Sequence, residues 1–433
     1  MLLHGLLELR ITGGAFLIVV DAAAIAAGLF LIVRRPTWRW AATAATAAVG
    51  GAGVGYLLCW FVGDELDLLG FSPTPISRMW VAFSTAGLAL VVVNVVLRPN
   101  WRRAVAAVCL PLIAIAAAVG LNVDAGGYTH LGQALGAPGR VLAGVAQLPP
   151  HSEADGAAPA GAEWRAGSPL PGSGRLYSVR IPGTVSHFQA RDAELYLPPA
   201  ALVRNAPALP VIVGLSGQPG APADLFELGH LDAYLNAYAQ ANHGIAPIVV
   251  VPDQLGAANR NPMCVDSPLG NVASYVKTDV VDWVRAHLNV ESSPSGWGLL
   301  GFSEGATCAN QFLASDPGQF SAELSISSEL APWNGPKTVA EAFDGSTAEY
   351  AAASPEALLR RGAPYRHSFA EFAVGADDAR YRPNAIALDA AAKAAGMTTT
   401  LLLSPGTAHD WNTVRYAFAH DLAPLIEHLG QAA

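Results

Sequence analysis

The chain has 433 residues, of which 52% are hydrophobic and only 14% are charged, and its formal net charge is −9. This composition excludes a disordered chain, a collagen and a lone coiled coil, and the acidic balance without a basic cluster excludes a simple nucleic-acid-binding protein. The length allows two or three domains.

Charge divides the chain into two unlike parts. Residues 1–125 hold 8 basic and 6 acidic residues, whereas residues 126–433 hold 17 basic and 28 acidic residues. The first part is nearly free of charge and the second has an ordinary globular composition. We therefore predict a four-helix transmembrane domain over residues 1–125, a linker rich in Gly, Ala and Pro over residues 126–174, and a globular domain over residues 175–433.

Four apolar stretches follow one another in the first part: Ile11–Val33, Trp40–Val62, Met79–Leu97 and Ala104–Leu121. Each has about 20 residues, which is enough for a helix to cross a hydrocarbon core of roughly 30 Å. No polar face recurs at helical period, so the pattern favours membrane helices over a buried soluble bundle. A cleaved signal peptide fits poorly, because no basic region precedes the first stretch and three more stretches follow it.

The loops between these stretches alternate in charge. The basic residues of the first and third loops are Arg34, Arg35, Arg39, Arg98, Arg102 and Arg103, and the acidic residues of the second loop are Asp64, Glu65 and Asp67. Basic loops remain on the cytoplasmic side of a membrane. We therefore predict a multi-pass protein of the cell membrane whose N-terminus and globular domain are extracytoplasmic.

Two polar residues, Asp21 and Asn94, interrupt the apolar stretches. An ionisable side chain inside a membrane is a candidate for transport. One Asp without an obvious cationic partner is weak support for transport, so we favour a protonated or hydrogen-bonded Asp21 that holds the bundle together. In the linker, His151–Ala162 is typical of a flexible spacer.

From Arg175 onward, short apolar runs alternate with helical patterns. The predicted strands are Leu176–Ile181, Ala193–Leu197, Val211–Leu215, Pro247–Val251, Gly298–Gly301, Ala322–Ile326, Phe369–Val374 and Thr398–Leu403. The predicted helices are Leu225–Asn242, Val272–His287, Glu304–Ala314, Asn384–Ala395 and Asn412–Leu429. Continuous apolar strands that alternate with helices indicate an α/β fold with a doubly wound, mostly parallel sheet, which the first two strands enter antiparallel.

The four cysteines divide between the two parts of the chain. Cys59 and Cys109 lie in apolar stretches, where we expect them to pack as small apolar residues. Cys264 and Cys308 lie in the globular domain, where oxidation is possible. We predict a disulfide between them, which closes a loop of about 45 residues and contributes roughly 4 kcal/mol, with two buried thiols as the alternative. No Cys-x-x-Cys or Cys/His cluster indicates a metal site.

The segment Gly301-Phe302-Ser303-Glu304-Gly305 is a G-x-S-x-G motif between a predicted strand and a predicted helix. In this context the serine occupies a tight turn that exposes its hydroxyl at a helix N-terminus. Ser303 is therefore the candidate nucleophile. A serine hydroxyl needs a base, and His409 is the best-placed histidine because it follows the last strand and precedes the last helix.

A third residue must orient the imidazole and stabilise its charged form. An acid after the strand Phe369–Val374 fits the chain order of nucleophile, acid and histidine. Asp378 is our choice, with the adjacent Asp377 as the alternative, and either one could instead cap a turn. The oxyanion donors would be the backbone N–H groups of Glu304 and of Gln218, which lies in the loop Ser216–Gly220.

With these residues the chain resembles the esterase D-like α/β-hydrolases, a family that includes S-formylglutathione hydrolases and mycobacterial mycolyltransferases. It resembles in particular an actinobacterial branch of this family that has multi-span N-terminal anchors. The segments that carry the resemblance are Ala190–Pro199, Gly217–Gly220, Cys264–Ser267, Gly270–Tyr275, Gly301–Gly305 and Gly406–Trp411. The resemblance implies a triad of Ser303, Asp378 and His409. The chain departs from many α/β-hydrolases in having Ser216-Gly217 where they have His-Gly.

The resemblance implies a membrane-anchored serine esterase that acts on a lipid or cell-envelope ester without a cofactor and without binding nucleic acid. Some anchored relatives hydrolyse aminoacyl esters of phosphatidylglycerol. Asp266 and Glu304 could receive such a cationic head, or Asp266 could cap a turn and Glu304 could join a hydrogen-bond network. The alternatives are an acyltransferase of the mycolyltransferase type and a non-catalytic membrane scaffold or transporter.

Overall fold

The computed structural model describes residues 2–33, 37–97, 100–136, 142–149 and 164–431. The chain forms two compact units, Met1–Val141 and Leu142–Ala433. Arg34, Arg35, Arg98 and the predicted spacer His151–Ala162 lie outside the described residues.

The first unit is built from four long apolar helices. Its helices are α1 (Leu2–Leu7), α2 (Gly14–Ile32), α3 (Trp38–Trp60), α4 (Pro75–Val96), α5 (Asn100–Asp124) and α6 (Leu131–Ala134). A wider π-helical turn, Phe61–Glu65, extends α3. By length and composition, four helices of this unit could cross a membrane, and each overlaps one of the predicted stretches.

Small residues and one buried amide join these helices. A Cβ atom at Gly55 of α3 would come within 2.1 Å of the Thr85 hydroxyl of α4, so glycine permits the close approach of the two helices. The buried Asn94 amide donates to the carbonyls of Leu31 at 3.1 Å and Leu90 at 2.9 Å. Asn94 thus joins α4 to α2, whereas Asp21, which was expected to hold the bundle together, lies on an exposed face of α2.

The residues of the predicted linker are shared between the two units. The Leu131 N–H donates to the Leu9 carbonyl at 2.9 Å, which ties this segment to the first unit. The Ser178 N–H donates to the Ala143 carbonyl at 2.9 Å, which ties Ala143 to the first strand of the second unit. By these contacts the first unit ends at Val141 and the second begins at Leu142.

The second unit contains an eight-stranded sheet and a two-stranded ribbon. The strands are β1 (Arg175–Val179), β2 (Ala193–Leu197), β3 (Val211–Leu215), β4 (Ile248–Val251), β5 (Asp266–Ser267), β6 (Gly270–Asn271), β7 (Trp297–Phe302), β8 (Ala322–Ile326), β9 (Phe369–Gly375) and β10 (Thr398–Ser404). The sheet order is β1-β2-β4-β3-β7-β8-β9-β10. The strands from β4 to β10 in this order are parallel, and β2 pairs antiparallel with both β1 and β4.

Helices cover both faces of this sheet. They are α7 (Asp224–Glu227), α8 (Leu231–Ala241), α9 (Val272–Ser274), α10 (Val281–His287), α11 (Glu304–Ser315), α12 (Thr338–Ala342), α13 (Thr347–Ala352), α14 (Pro355–Gly362), α15 (Tyr381–Ala394) and α16 (Trp411–Gln431). One buried apolar cluster lies on each face. The predicted doubly wound α/β fold is confirmed, and each of its eight strands lies within two residues of the predicted bounds.

The predicted helix Val272–His287 is continuous, because a π-helical segment, Tyr275–Val280, joins α9 to α10. Another predicted helix is divided. The pattern over Leu225–Asn242 predicts a single helix, but α7 ends at Glu227 and α8 begins at Leu231. His230 between them has a φ of 58°, which is left-handed backbone and cannot continue a right-handed helix. The helix therefore breaks at this residue. The sequence pattern did not predict the break, because the apolar period continues across it.

Candidate active site

Ser303 occupies the turn between β7 and α11, at the edge of the sheet where the parallel strands end. Its φ of 58° and ψ of −119° lie in a region that residues other than glycine rarely adopt, so the turn is locally strained. The Ser303 N–H donates to the Ile326 carbonyl at 2.9 Å, which fixes the turn against β8.

Two glycines let the surrounding backbone close around this turn. A Cβ atom at Gly301 would lie 2.2 Å from the Gly305 carbonyl oxygen, and one at Gly305 would lie 2.1 Å from the Leu215 carbonyl oxygen. A larger residue at position 301 would push β7 away from α11, and one at position 305 would push α11 away from β3. The two glycines of the G-x-S-x-G motif are thus required by packing on either side of the hydroxyl.

The His409 ring lies beside the Ser303 hydroxyl, although the two residues are 106 positions apart. The His409 Nε2 atom is 2.9 Å from Ser303 Oγ. The ring lies between two aromatic rings, with centroids 5.0 Å from that of Phe302 and 4.2 Å from that of Tyr381. This packing restricts the imidazole to a narrow range of orientations, so a proton on the serine hydroxyl can pass to Nε2.

Asp378 lies on the other side of the imidazole. Its Oδ2 atom is 3.4 Å from His409 Nδ1, and its Oδ1 atom accepts hydrogen bonds from the backbone N–H groups of Arg380 at 3.1 Å and Tyr381 at 2.9 Å. The Asp378 side chain is buried, whereas the neighbouring Asp377 is exposed. The structure therefore brings together Ser303, His409 and Asp378, and leaves Asp377 at the surface.

The loop that contains Gln218 packs against the nucleophile. A Cβ atom at Gly217 would lie 3.2 Å from Ser303 Cβ, so the backbone before Gln218 directly adjoins the serine. Glu304 is the first residue of α11. Backbone N–H groups at a helix N-terminus and in an adjacent loop can together stabilise a developing oxyanion.

The side chain of Glu304 points into the interior. Its Oε2 atom accepts a hydrogen bond of 3.0 Å from the Gln254 amide, and its Oε1 atom is 3.0 Å from Cys308 Sγ. Burial raises the pKa of this carboxyl to about 8, against the lowering effect of the Gln254 hydrogen bond. At neutral pH Glu304 is therefore mostly uncharged, and it belongs to a hydrogen-bond network.

Cys264 and Cys308 are joined by a disulfide, with Cα atoms 5.4 Å apart. Both residues are buried, and their sulfurs lie beside the Glu304 carboxyl. The bridge ties the segment before β5 to the first turns of α11. Because the two sulfurs are bonded to each other, they offer no thiolate to a metal ion beside Glu304.

Asp266 contacts Ser274, the last residue of α9, instead of the reacting serine. Its carboxylate accepts hydrogen bonds from the Ser274 backbone N–H at 2.9 Å and from the Ser274 hydroxyl at 2.6 Å. These are contacts of a side chain that caps a turn. Of the two carboxyl groups considered for a cationic substrate, one is engaged with Ser274 and the other is buried.

Sequence reasoning missed the residues that follow β4. Asp253 and Gln254 are buried, and they contact Arg191, the Ser216 carbonyl and Glu304. The signal was present, because polar residues that directly follow an apolar parallel strand lie at the same edge as Ser303. The stacking of Tyr381 on His409 had no comparable signal.

Comparisons with known proteins agree with this fold. A family model described as "Putative esterase" matches residues 188–424. An uncharacterized protein of Corynebacterium glutamicum is 28% identical over 421 residues, which cover 94% of each chain.

Two solved structures are each similar to more than half of this chain. A ferulic acid esterase matches with a TM-score of 0.51 and 16% identity, over 59% of this chain and 98% of that chain. An S-formylglutathione hydrolase from Agrobacterium tumefaciens matches with a TM-score of 0.49 and 18% identity, over 60% of this chain and 98% of that chain. The family model covers more than half of the chain and confirms the resemblance to esterases. The chain belongs to this esterase family.

Proposed function

We propose that the protein is a membrane-anchored, extracytoplasmic serine esterase that hydrolyses carboxylic esters of envelope lipids. The observation that carries the proposal is the continuous contact from the Ser303 hydroxyl through the His409 ring to the Asp378 carboxylate. Membership of an esterase family supports the reaction class.

In the proposed reaction, Ser303 Oγ attacks the ester carbonyl while His409 Nε2 accepts the hydroxyl proton. Asp378 orients the ring and stabilises its charged form. The backbone N–H groups of Gln218 and Glu304 stabilise the oxyanion. His409 then gives the proton to the leaving alcohol, and water hydrolyses the acyl-enzyme with His409 as the base.

The first unit supports the proposed location. Its four long apolar helices have the length of membrane spans. Arg39 lies in the first turn of α3, and Arg102 and Arg103 lie in the first turn of α5. Asp64 and Asp67 lie in the connection after α3. The basic ends would face the cytoplasm, which places the second unit outside. An anchor of this kind raises the effective concentration of a lipid substrate.

The proposed substrate class is limited to envelope-lipid esters. An aminoacyl ester of phosphatidylglycerol belongs to that class and is the specific candidate that the sequence resemblance implies. Asp266 and Glu304 do not favour it, because one caps a turn and the other is buried and mostly uncharged at neutral pH.

A reconstituted assay tests the proposal. The full chain would be incubated in phospholipid vesicles that contain either aminoacyl-phosphatidylglycerol or unmodified phosphatidylglycerol, and free amino acid and free fatty acid would be measured. We expect release of an acid from one of these lipids by the wild type and none by Ser303→Ala. Equal turnover by Ser303→Ala would contradict the assigned nucleophile, and acyl transfer to an added trehalose acceptor as the main product would contradict hydrolysis.

A further inference from the structure

Residues 216–220 form the first part of the connection between β3 and α7, and we call this segment the oxyanion loop. It contains Gln218, whose N–H is proposed as an oxyanion donor, and each of its two ends is held by one of two neighbouring residues. Asp253 and Gln254 follow β4, which pairs with β3 in the sheet. Both side chains are buried, and each secures a different end of the loop.

Gln254 holds the first end of the loop. Its side-chain amide nitrogen is 2.5 Å from the Ser216 carbonyl oxygen and 3.0 Å from Glu304 Oε2. An amide nitrogen has two hydrogens, so it can donate to both oxygens at once. One side chain thereby links the loop that carries the Gln218 N–H to the residue that carries the Glu304 N–H.

Asp253 holds the second end through Arg191. The Asp253 carboxylate accepts two hydrogen bonds from the Arg191 guanidinium, at 2.8 Å and 3.0 Å. The same guanidinium donates to the Gly220 carbonyl at 2.9 Å. Asp253 is fully buried, so its carboxylate is shielded from water and holds the guanidinium in place, while 31% of the Arg191 side chain remains exposed.

From these contacts, and on the basis of the proposed function, we propose that Gln254 is a positioning residue that fixes the spacing between the two oxyanion donors. An oxyanion hole is effective when its donors are already in place before negative charge develops. The Gln254 amide sets this spacing by bonding Ser216 and Glu304, while Arg191 and Asp253 stop the far end of the loop from moving.

The chemistry of the bridge suits this role. The Gln254 amide is uncharged, and the buried Glu304 carboxyl is mostly uncharged at neutral pH. The charged groups that face Glu304 are Asp253, which is paired with Arg191, and Glu329. A neutral bridge avoids placing a full negative charge directly behind the N–H group that must stabilise an oxyanion.

A substitution that removes both donors tests the proposal. Gln254→Met keeps the length of the side chain but cannot bond Ser216 or Glu304. Using the full chain in detergent and p-nitrophenyl acetate as the probe, we expect kcat to fall roughly 10- to 100-fold, with KM within about threefold of the wild type. The inhibition constant of a trifluoromethyl ketone, whose adduct resembles the tetrahedral intermediate, should rise by a similar factor.

Gln311→Met is the matched control. Gln311 is similarly buried on α11, and its amide donates to the Ala353 carbonyl at 3.2 Å, away from the oxyanion loop. We expect it to leave kcat and the ketone affinity within about twofold of the wild type. Thermal unfolding confirms that each variant is folded, and Gln254→Asn, whose shorter amide cannot reach both oxygens, replaces Gln254→Met if the latter does not fold.

The outcomes separate the two proposals. A folded Gln254 variant with the kcat and ketone affinity of Gln311→Met would overturn the positioning role and leave the esterase intact. If the wild type shows no turnover, or if turnover survives in Ser303→Ala, both the positioning role and the esterase function are overturned. A loss confined to KM would assign Gln254 to substrate binding and also contradict the proposal.

Discussion

At the scale of single residues, burial distinguishes two neighbouring carboxylates. Asp378 is buried beside His409 and accepts two backbone hydrogen bonds, whereas Asp377 is exposed and its backbone N–H donates to the Thr407 carbonyl. A carboxylate that is fixed and desolvated can hold one orientation and one tautomer of an imidazole, which an exposed one cannot do.

Substitution of Asp378 tests the assignment, and the same substitution of Asp377 is the control. We expect Asp378→Asn to reduce kcat by about 10³- to 10⁴-fold, because an amide at this position favours the wrong imidazole tautomer. Asp377→Asn should change kcat by less than about threefold, as is usual for an exposed loop residue. Steady-state kinetics of both variants with one ester measure the difference, and an equal loss in the two variants would contradict the assignment.

Sequence reasoning reached this site only in part. Ser303 and His409 could be predicted because a motif and a loop position mark them. The choice between Asp377 and Asp378 remained open, since a shift of one residue reverses burial without changing the pattern. The place of Gln254 directly after β4 marks it as a residue of this sheet edge, but its bonds to Ser216 and Glu304 span 38 and 50 positions and depend on the order of strands in the sheet, so its partners could not be predicted.

At the scale of elements, the geometry of the sheet edge at Ser303 depends on the close packing of α11 against β3. The eight main strands could be predicted because parallel strands covered on both faces are continuously apolar. The short helices α12, α13 and α14 were not predicted, since each has eight residues or fewer and gives little periodic signal. The close contact of α11 with β3 could not be derived from the pattern either.

Gly305 tests that contact. A Cβ atom there would lie 2.1 Å from the Leu215 carbonyl oxygen, so Gly305→Ala must displace α11 or β3. We expect a loss of about 1–3 kcal/mol in the free energy of unfolding and a reduced kcat. At Gly318 the nearest atom to a Cβ is 3.9 Å away, so Gly318→Ala is the control. Denaturant titration of both variants measures the difference, and an unaltered Gly305→Ala protein would contradict the packing.

At the scale of the whole molecule, the second unit buries several carboxyl groups inside its sheet and helices. Burial raises the pKa of Glu323 to about 8. Burial and then the charge of Asp421 raise the pKa of Glu371 to about 9, and burial raises that of Glu304 to about 8. These groups are neutral in the folded protein at pH values where they are ionised in the unfolded chain.

The sign of the resulting pH dependence follows from linkage. The folded protein binds more protons than the unfolded chain, so stability falls as pH rises from the unfolded pKa through the folded pKa. Each group contributes a slope of at most about 1.4 kcal/mol per pH unit. We expect the unfolding temperature of the second unit to fall between pH 7 and pH 9, and Glu371→Gln to reduce the slope. An unfolding temperature that rises over this range would contradict the burial of neutral acids.

The central claim is that Ser303 is an activated nucleophile, and covalent labelling tests it most directly. The full chain in detergent would be treated with a fluorophosphonate probe, digested and mapped by mass spectrometry, with Ser303→Ala and His409→Ala treated in parallel. The account predicts a single adduct on Ser303, none on Ser303→Ala, and labelling of His409→Ala slowed by at least about 10²-fold. An unlabelled folded wild type, or an adduct on a different residue, would contradict it.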